Sequence, residues 1–522
     1  MNERPNILLL FSDEHSFRCM GHVPERAGGE PVRTPTFDRL ASQGTVFSDA
    51  YCQMPLCTPS RISMLTGREV RGCGAWSNGS VLRPELPTLP GLLRDAGYTT
   101  GLIGKMHLAG TQQFAGFEHR PYGDLTGRAG HQGEPVPRRE TEMRARTNRA
   151  VGITQIPESL IQDEVVCHES VAFLREHRNA SPDKPWFLCA GFSRPHFPLT
   201  VPRRHLDAYW PEGVTAPRVP AAGDAYDHPM SVGMREGFKA DAISEDERQY
   251  ARACYFACVS YLDEIVGDLL LCLEKDGLLD NTIIVYTSDH GEMAGEHGVW
   301  WKNGWYEACT RVPLIVSTPH HRRGDLGAGI CSTPVGLVDL LPTLGSFAGL
   351  ALPEGLDGTD LSGVMTEGQP APDRPIVCDA LEPRWGEGTE FRMVRQGRYK
   401  VVRFRRAPPL AFDLREDPGE QRNLLQRERE LPAALQRLKA FADTSMDFDE
   451  AERERVERDG SLQRRYALDV PRSTGNLYAM PSGTVINAED TLYSPTVIAP
   501  SLDDLLGAGW AEQNRSPSRR PL

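Results

Sequence analysis

The stretch "NILLLFSDEH", residues 6–15, passes directly from an apolar segment into two acids. A short, continuous apolar run such as Ile7 to Phe11 is typical of a strand that is buried on both faces of a sheet. Strands of this kind occur mainly in parallel sheets that carry helices on both sides. The stretch therefore predicts a central strand, with Asp13 and Glu14 just beyond the apolar run.

The same pattern of an apolar run followed by polar residues recurs at three further places. They are "YTTGLIG" before Lys105 and His107, "WFLCAGF" before Arg194 and His196, and "NTIIVYT" before Asp289 and His290. Helical patterns separate the runs, as in "TFDRLASQG", "TLPGLLRDAG" and residues 246–277. Alternating strands and helices predict the α/β class, with a large mixed, mostly parallel sheet between helices. Ligands bind such sheets beyond the carboxyl ends of the strands, so the polar clusters are expected to meet there.

A second, smaller unit is predicted after the linker-like stretch "DLSGVMTEGQPAPDRP". The segment "EFRMVRQGRYKVVRFRR" and the later helical pattern "ELPAALQRLKAFAD" favour an α+β subdomain with an antiparallel sheet and a helix. We therefore divide the chain into a catalytic domain over 1–370, a C-terminal subdomain over 371–470 and a C-terminal extension over 471–522. The Pro- and Ser-rich tail could wrap the body or a neighbouring subunit, which leaves a homo-oligomer open. Segments near 115–160 and 200–245, rich in Gly, Pro and charge, are expected to be surface insertions that select the substrate.

Composition and charge limit the classes of partner. The 522 residues carry a net charge of −13, which argues against nucleic acid or an anionic membrane as a partner. No segment reaches the roughly 18 apolar residues of a membrane span, and the run at 7–11 is too short for a signal-peptide core. We therefore expect a cytoplasmic protein whose 12 cysteines, which form no C-x-x-C pair, are mostly reduced core residues. Cys254 and Cys258 share a helix face with Tyr261 and are expected in the core.

A cysteine stands just before Thr-Pro-Ser-Arg in "YCQMPLCTPSRISMLTGR", residues 51–68. Pro59 suits the first position of a helix and Thr58 its cap, so backbone amides would direct a positive end toward Cys57. Arg61, four residues on, adds a cation near the same face. This environment predicts a nucleophilic cysteine of low pKa, and a plain buried cysteine at a helix start is the alternative.

The motif C-T-P-S-R followed by "ISMLTGR" resembles the signature of the type I sulfatases, which belong to the alkaline phosphatase superfamily. The likeness extends from "RPNILLLFSDEH" to "FDLREDPGEQRNL", most of the chain. It implies that Cys57 is oxidised after synthesis to Cα-formylglycine, by a formylglycine-generating enzyme or an anaerobic sulfatase-maturating enzyme. The hydrated aldehyde would be the nucleophile of a sulfuric ester hydrolase that cleaves a small sulfate monoester through a covalent sulfo-enzyme.

The resemblance further implies one divalent metal. The implied ligands are Asp13, Glu14, Cys57, Asp289 and His290. The family usually has aspartate or glutamine at position 14 and often asparagine or glutamine at position 290. The Asp-His pair does occur in the choline-sulfatase and phosphonate monoester hydrolase branches. Calcium, the usual ion of the family, is expected, with manganese or magnesium as alternatives because imidazole suits softer ions than calcium.

Lysines and histidines in "GKMH", "SRPHFP" and "WWKNGWYE" match positions that sulfatases use for binding sulfate and moving protons. The catalytic residues implied by the resemblance are Cys57, Arg61, Lys105, His107, His196 and Lys302. Substrate binding is expected from Asn78, Lys105, His196 and Lys302. His196 with Lys302 would protonate the departing alcohol, and His107 would take a proton from the second hydroxyl. Arg61 and Lys105 would position the diol and the sulfate oxygens, where fixed cations also stabilise the charge that develops in the transition state.

Other functions are weighed against a sulfatase. A phosphonate monoester or phosphodiester hydrolase shares the fold and the motif, but Tyr and Thr tend to stand there in the places of Lys105 and His107. A non-catalytic protein that binds sulfated ligands would be expected to lack one of the central residues. Choline sulfate, aryl sulfates and sulfated sugars all stay open as substrates.

Tryptophans near the motifs have two interpretations. They could form an aromatic wall for an aryl group or a quaternary ammonium, or they could pack in the core. These residues are Trp76, Trp300, Trp301 and Trp305.

Overall fold

The computed structural model describes residues 4–110, 112–120, 151–154, 158–238, 240, 243–465, 477–479 and 485–487. Much of the insertion predicted at 115–160 and nearly all of the extension predicted at 471–522 lie outside these residues. The prediction that the tail wraps the body or a neighbouring subunit lies outside them as well.

Strands and helices are numbered in chain order over these residues. The strands are β1 Asn6–Asp13, β2 Thr45–Phe47, β3 Ala50–Tyr51, β4 Thr99–Gly104, β5 Val151–Ile153, β6 Trp186–Pro195, β7 Leu199–Val201, β8 Thr282–Ser288, β9 Arg311–Val312, β10 Leu314–Ser317, β11 Gly329–Cys331, β12 Val335–Gly336, β13 Ile376–Ala380, β14 Phe391–Gln396, β15 Tyr399–Phe404, β16 Leu410–Asp413, β17 Leu477–Ala479 and β18 Val485–Asn487. The α-helices are α1 Pro35–Ser42, α2 Cys57–Thr66, α3 Val70–Cys73, α4 Leu89–Asp95, α5 Gln162–Ala180, α6 Arg203–Leu206, α7 Pro229–Gly237, α8 Glu245–Lys275, α9 Glu307–Thr310, α10 Pro319–Arg323, α11 Leu340–Phe347, α12 Ser362–Thr366, α13 Leu424–Arg427, α14 Ala433–Thr444, α15 Phe448–Glu454 and α16 Gly460–Arg465.

The main sheet has seven strands in the order β11-β2-β10-β8-β1-β6-β4. Strand β1 is parallel to both of its neighbours, β8 and β6, and β4 continues the parallel set. Strand β10 runs antiparallel to β8 and β2, which makes the sheet mixed. The predicted mixed, mostly parallel sheet is confirmed, and each of the four apolar runs forms one of its parallel strands.

Strand β1 shows why the opening stretch carries no polar position from Ile7 to Phe11. Ile7 to Phe11 are at most 1% exposed. Leu9 lies in register with Cys189 of β6 on one side and Val285 of β8 on the other. Each large apolar side chain buried in this way contributes roughly 2 kcal/mol through removal from water.

The predicted helices at the three quoted patterns form α1, α4 and α8. The longest, α8, begins with a capping box between Ser244 and Glu247. Cys254 and Cys258 are 0% exposed on this helix, which confirms their predicted core position. All twelve cysteines are free. None of the helices in the described ranges is both long and apolar enough to cross a membrane.

Asp263 of α8 caps a different helix. Its two carboxylate oxygens accept the backbone N–H groups of Thr36 and Phe37, at 3.0 and 2.8 Å, in the first turn of α1. Asp263→Ala is expected to lower the free energy of unfolding by about 2 kcal/mol, because two donors lose their acceptor. Urea unfolding measures this change, with Asp268→Ala, an exposed acid of the same helix, as the control. An equal effect of the two variants would show that the contact of Asp263 with α1 does not stabilise the folded protein.

A second sheet has four antiparallel strands in the order β13-β14-β15-β16. Leu435 and Leu438 of α14 form a core cluster with Val394 and Val401 of the sheet. The predicted antiparallel sheet with a helix is therefore confirmed. The division of the chain at residue 370 stays a prediction.

Buried polar contacts tie the small sheet to the rest of the protein. The backbone N–H of Asp379 donates to the backbone oxygen of Gln53 at 2.8 Å. Lys400 Nζ donates to Glu307 Oε1 at 3.0 Å and to Glu420 Oε1 at 2.6 Å. Removing one partner of a buried charge cluster is costly, so these contacts hold the two sheets in one arrangement.

The stretch 200–245, predicted as a surface insertion, is only partly one. It contains α6, α7 and the end of β7, and Met230 and Met234 of α7 are at most 1% exposed. Its Gly and Pro residues mark turns, but scattered apolar side chains still reach the core. Composition alone does not show such contacts, because they depend on how the chain packs.

Candidate active site

Four strands deliver polar side chains to one edge of the main sheet. They are β1, which ends at Asp13, and β8, β6 and β4, which Asp289, His196 and Lys105 follow. The four strands are parallel neighbours, so their carboxyl ends lie side by side. Lys105 Nζ lies 2.6 Å from Asp13 Oδ2, and Asp289 Oδ1 accepts the backbone N–H of Glu14 at 3.1 Å. The structure thus brings these separate polar clusters together.

Cys57 opens helix α2, whose ten residues are all buried. Leu56 stands at the N-cap and provides no side-chain cap. The predicted cap by Thr58 and the predicted first position of Pro59 are therefore wrong, because the helical conformation already begins at Cys57. The N–H groups of the first turn still have no partners within the helix, so its positive end lies at Cys57.

Thr58 joins this helix to two other predicted site residues. Its hydroxyl donates to the backbone oxygen of His107 at 2.6 Å, and its N–H donates to Asn78 Oδ1 at 3.0 Å. The Asn78 side chain therefore contacts the helix start. His107 has a φ of 52°, a strained backbone conformation that is concentrated at functional sites.

The sulfur of Cys57 lies in a buried pocket of cations and imidazoles. Sγ is 3.3 Å from both Lys302 Nζ and His290 Nε2. Burial raises the pKa of Cys57, but the charges of Lys302 and His290 outweigh burial and hold this pKa well below its usual value. Hydrogen bonds with His107 and His196 lower the same pKa further. The pocket therefore favours a negatively charged atom at residue 57.

Side chains around Cys57 fit a divalent metal. Two overlapping groups of ligand atoms, each within 4.8 Å of one another, occur among the described residues. They are Asp13, Cys57, Asp289 and His290, and Asp13, Glu14 and His196. Glu14 Oε1 is buried with no hydrogen-bond partner in the described ranges, which is costly for a carboxylate oxygen. Hard divalent cations bind such oxygens, so the donor set and its unpaired atom suit a metal site.

The acids of this group differ in their pKa. Burial raises the pKa of Asp13, but Lys105, His196 and Arg61 together hold it below its usual value. Burial raises the pKa of Glu14 well above its usual value, and Lys302 offsets this only in part. Asp13 is therefore ionised at neutral pH. Glu14 would be ionised only if another positive charge, such as a metal ion, were bound nearby.

Arg61 lies wholly buried between two acids. Nε donates to Asp289 Oδ2 at 2.9 Å, and Nη2 donates to Asp13 Oδ2 at 3.0 Å. Nη1 donates to the backbone oxygen of Lys105 at 3.1 Å. Each nitrogen of the guanidinium is engaged, so Arg61 orients the carboxylates here. Its predicted contact with the diol and sulfate stays a prediction.

His196 and Lys302 meet at one oxygen of Glu14. Glu14 Oε2 is 3.4 Å from His196 Nε2 and 3.3 Å from Lys302 Nζ. His196 Nδ1 lies 2.6 Å from the backbone oxygen of Phe197, which assigns the hydrogen of the neutral ring to Nδ1. Burial, with Lys302 and Lys105, lowers the pKa of His196 to about 3. Burial lowers the pKa of Lys302, but the negative charges around it raise this pKa overall, so Lys302 is protonated at neutral pH.

Glu292 belongs to the site region although sequence analysis did not single it out. Its Oε1 accepts the backbone N–H groups of Ala294 and Trp301, at 2.7 and 2.5 Å. Ala294, Trp301 and Asn303 have φ values of 46°, 70° and 67°, in the left-handed region. Glu292 therefore stabilises a strained loop that carries Lys302. An acid two residues after the Asp-His pair was the available signal.

The aromatic residues near the motifs divide into two groups. Trp76, Trp300 and Trp305 are at most 2% exposed and pack in the core. Trp301 stacks on Phe197, with centroids 4.1 Å apart and planes at 7°. Phe197 is half-buried and stacks on His196 at 4.0 Å. An aromatic surface adjoins His196, but Phe197 forms it with Trp301, and sequence analysis missed Phe197.

Family models match most of the chain. A model described as sulfatase matches residues 5–350, and one described as the C-terminal part of N-sulphoglucosamine sulphohydrolase matches residues 295–443. The first match exceeds half of the chain, so this chain belongs to the sulfatase family. It is an enzyme of the sulfuric ester hydrolase class, which confirms the predicted family and enzyme class.

Relatives and solved structures agree with this family. Choline-sulfatase of Rhizobium meliloti is 30% identical over 454 residues, which cover 84% of this chain and 86% of that protein. A protein solved in complex with its substrate D-glucosamine-2-N,6-O-disulfate has a TM-score of 0.67 and 25% identity, covering 87% of this chain and 99% of that one. Phosphonate monoester hydrolase of Agrobacterium radiobacter has a TM-score of 0.68 and 23% identity, covering 87% and 96%, and shares the fold.

Proposed function

We propose that this sulfatase cleaves a small sulfate monoester with a formylglycine nucleophile formed from Cys57. The observation that carries the proposal is the buried setting of Cys57, whose Sγ has Lys302 Nζ and His290 Nε2 each at 3.3 Å. Positive groups converging on one atom at a helix start suit both a nucleophile and a tetrahedral oxyanion. The sulfatase relatives support the same reaction.

In the proposed reaction, one hydroxyl of the hydrated formylglycine loses its proton to solvent, because the cations at residue 57 favour a negatively charged atom there. The resulting oxyanion attacks sulfur, and the bond from sulfur to the alcohol oxygen breaks. Lys302, protonated at Nζ, would supply the proton that the leaving alcohol requires. The neutral ring of His196 would assist by orienting the leaving oxygen, because its one hydrogen is held by the backbone oxygen of Phe197. His107 then takes the proton of the second hydroxyl from the covalent sulfo-enzyme. The carbon–oxygen bond to sulfate breaks, which restores the aldehyde and releases sulfate.

The remaining site residues bind and orient. Lys105 and Asn78 would contact sulfate oxygens, and Arg61 would keep Asp13 and Asp289 in place for the metal. The proposed ligands are Asp13, Glu14, residue 57, Asp289 and His290. A divalent metal held there would supply Lewis-acid polarisation of a sulfate oxygen. Calcium is the ion we propose because three carboxylates favour a hard cation, with manganese or magnesium as alternatives.

Several further proposals accompany this function. A formylglycine-generating or anaerobic sulfatase-maturating enzyme would be a transient partner, since Cys57 must be oxidised before the enzyme acts. The net charge of −13 leads us to propose no nucleic acid or membrane partner. Cytoplasmic localisation and a homo-oligomer through the extension 471–522 stay predictions.

The rival reaction is hydrolysis of phosphonate monoesters or phosphodiesters. The fold is shared with a phosphonate monoester hydrolase, so the fold does not separate the two reactions. Lys105 Nζ lies 2.6 Å from Asp13 at the same sheet edge, where a cation suits a sulfate ester. This lysine and His107 favour the sulfatase reaction.

Rates on a panel of esters test the proposal. The panel contains nitrophenyl sulfate, choline sulfate, sulfated monosaccharides and phenyl phosphonate. We expect the best sulfate ester to exceed phenyl phosphonate in kcat/KM by roughly tenfold or more, because the cations are placed for a sulfate monoester. The protein assayed should be expressed together with a maturation enzyme, so that Cys57 is oxidised to formylglycine. A kcat/KM for phenyl phosphonate that exceeds that of every sulfate ester by orders of magnitude would contradict the sulfatase proposal.

A further inference from the structure

A loop of the small sheet reaches the edge of the candidate site. It joins β13 to β14, and its Trp385 donates from Nε1 to the backbone oxygen of Asn303 at 3.0 Å, next to Lys302. The Trp385 ring packs on Phe238 with centroids 4.7 Å apart, and Phe238 lies 5.8 Å from Trp301. These contacts fix the loop against the segment that carries Lys302.

Helix α7 packs closely against this loop. A Cβ added at Gly233 would lie 1.9 Å from the backbone oxygen of Trp385, and one added at Gly237 would lie 2.6 Å from its ring. Such close approach is open only to glycine, so the helix and the loop are packed directly together. The backbone at Trp385, next to Arg384, is therefore packed against the helix.

Arg384 precedes the anchored tryptophan, and its cation forms no ion pair with an acid of the described residues. Its guanidinium carbon lies 5.2 Å from the centroid of the Trp385 ring. Within the described ranges, no carboxylate lies within 4.0 Å of this guanidinium, and Glu382 is instead 3.9 Å from Arg455. The side chain is exposed, so the charge is open to a ligand.

The guanidinium of Arg384 also interacts with the pocket. Surrounding protein lowers the pKa of Arg384, and the negative charges of Glu382, Cys57 and Glu14 oppose that change. The loop that carries Arg384 is bonded to Asn303, and the preceding Lys302 contacts Cys57, so the cation lies next to the pocket. Arg384 and Asn303 also line one small cavity, which places the arginine beside the residue that follows Lys302.

We infer that Arg384 binds a second anionic group on the alcohol part of the sulfate ester, an inference that rests on the proposed function. Lys105 and Lys302 are already engaged around residue 57, where the reacting sulfate would bind. Arg384 is exposed on the neighbouring loop that is bonded to Asn303. A guanidinium forms paired hydrogen bonds with carboxylate or sulfate oxygens and stays charged. The substrate class is therefore a sulfate ester whose alcohol part carries a carboxylate or a second sulfate, as some sulfated sugars do. A quaternary ammonium such as choline would be repelled at this position.

The test compares kcat/KM on three substrates. They are nitrophenyl sulfate, a sulfated monosaccharide with a carboxylate, and one with a second sulfate. In Arg384→Ala, the ratio of a doubly charged substrate to nitrophenyl sulfate is expected to fall about 10- to 100-fold, as for a lost charged hydrogen bond. In Arg384→Lys the ratio is expected to fall less, because lysine retains the positive charge but cannot form the paired hydrogen bonds of a guanidinium. Arg415→Ala, an exposed arginine of the same small unit, leaves the ratio unchanged.

The outcomes separate this inference from the proposed function. The substrate whose ratio falls identifies the second group as carboxylate or sulfate. If neither ratio falls, or if the wild-type enzyme hydrolyses nitrophenyl sulfate but neither doubly charged ester, the inference about Arg384 is overturned while the proposed function stands. If the matured wild-type enzyme hydrolyses none of the three esters, the proposed function itself fails.

Discussion

Cys57→Ala is expected to lower kcat/KM for nitrophenyl sulfate by roughly 10⁴-fold or more, the scale seen when a nucleophile is removed. Alanine cannot be oxidised to an aldehyde, so the first covalent step is lost. Steady-state hydrolysis measures the loss, and intact-protein mass reports maturation of the wild type. Oxidation of the thiol to the aldehyde removes about 18 Da, and Cys57→Ala must lack this change.

Cys73→Ala is the matched control for this variant. Cys73 is also buried, but burial raises its pKa to about 12, and its Sγ donates to the backbone oxygen of Val70 at 3.5 Å. It should keep both the activity and the mass change. If Cys57→Ala retained more than about 1% of wild-type activity, another group would have to be the nucleophile.

Removal of divalent metal is expected to lower kcat/KM by roughly 10³-fold, because polarisation by a metal ion contributes several kcal/mol to the transition state. Asp13→Asn should give a loss of the same order and should lower the bound metal measured by elemental analysis. Chelation followed by addition of calcium, manganese or magnesium identifies the ion that restores activity. The metal content is a readout that does not depend on turnover.

Asp325→Asn is the control for the metal experiment. Asp325 is exposed and pairs with Arg323 at 3.2 Å, far in sequence from the site acids. This variant should keep both metal and activity. Full activity in a thoroughly chelated sample with no detectable metal would contradict the proposed metal site.

Much of the fold could be predicted from short apolar runs. "NILLLF" became β1 because its run from Ile7 to Phe11 has no polar position and is stable only where both faces are covered. Strand β10 could not be placed in this way, since it lies antiparallel between β8 and β2, and Ile315 pairs with Val46. Such pairing depends on contacts between distant segments, which local periodicity does not report.

Residues of the candidate site divide along the same line. Asp13 and Asp289 were predicted because acids follow apolar runs, and Cys57 because of its motif. Glu292 was missed because its position matters only through its contacts with the N–H groups of Ala294 and Trp301. The role inferred for Arg384 likewise depends on the contact of the neighbouring Trp385 with Asn303. The cap assigned to Thr58 was wrong because one residue shifts a helix start without changing the pattern.

The amino-acid sequence by itself determined which chemical groups this sulfatase possesses and which short segments form strands or helices. Those properties depend on residue type and on neighbours a few positions away. Only the tertiary structure decided that Cys57 lies 3.3 Å from Lys302 and that Arg61 holds two acids. Such distances are set by the packing of whole strands and helices, because side chains hundreds of residues apart meet only after the sheet has formed.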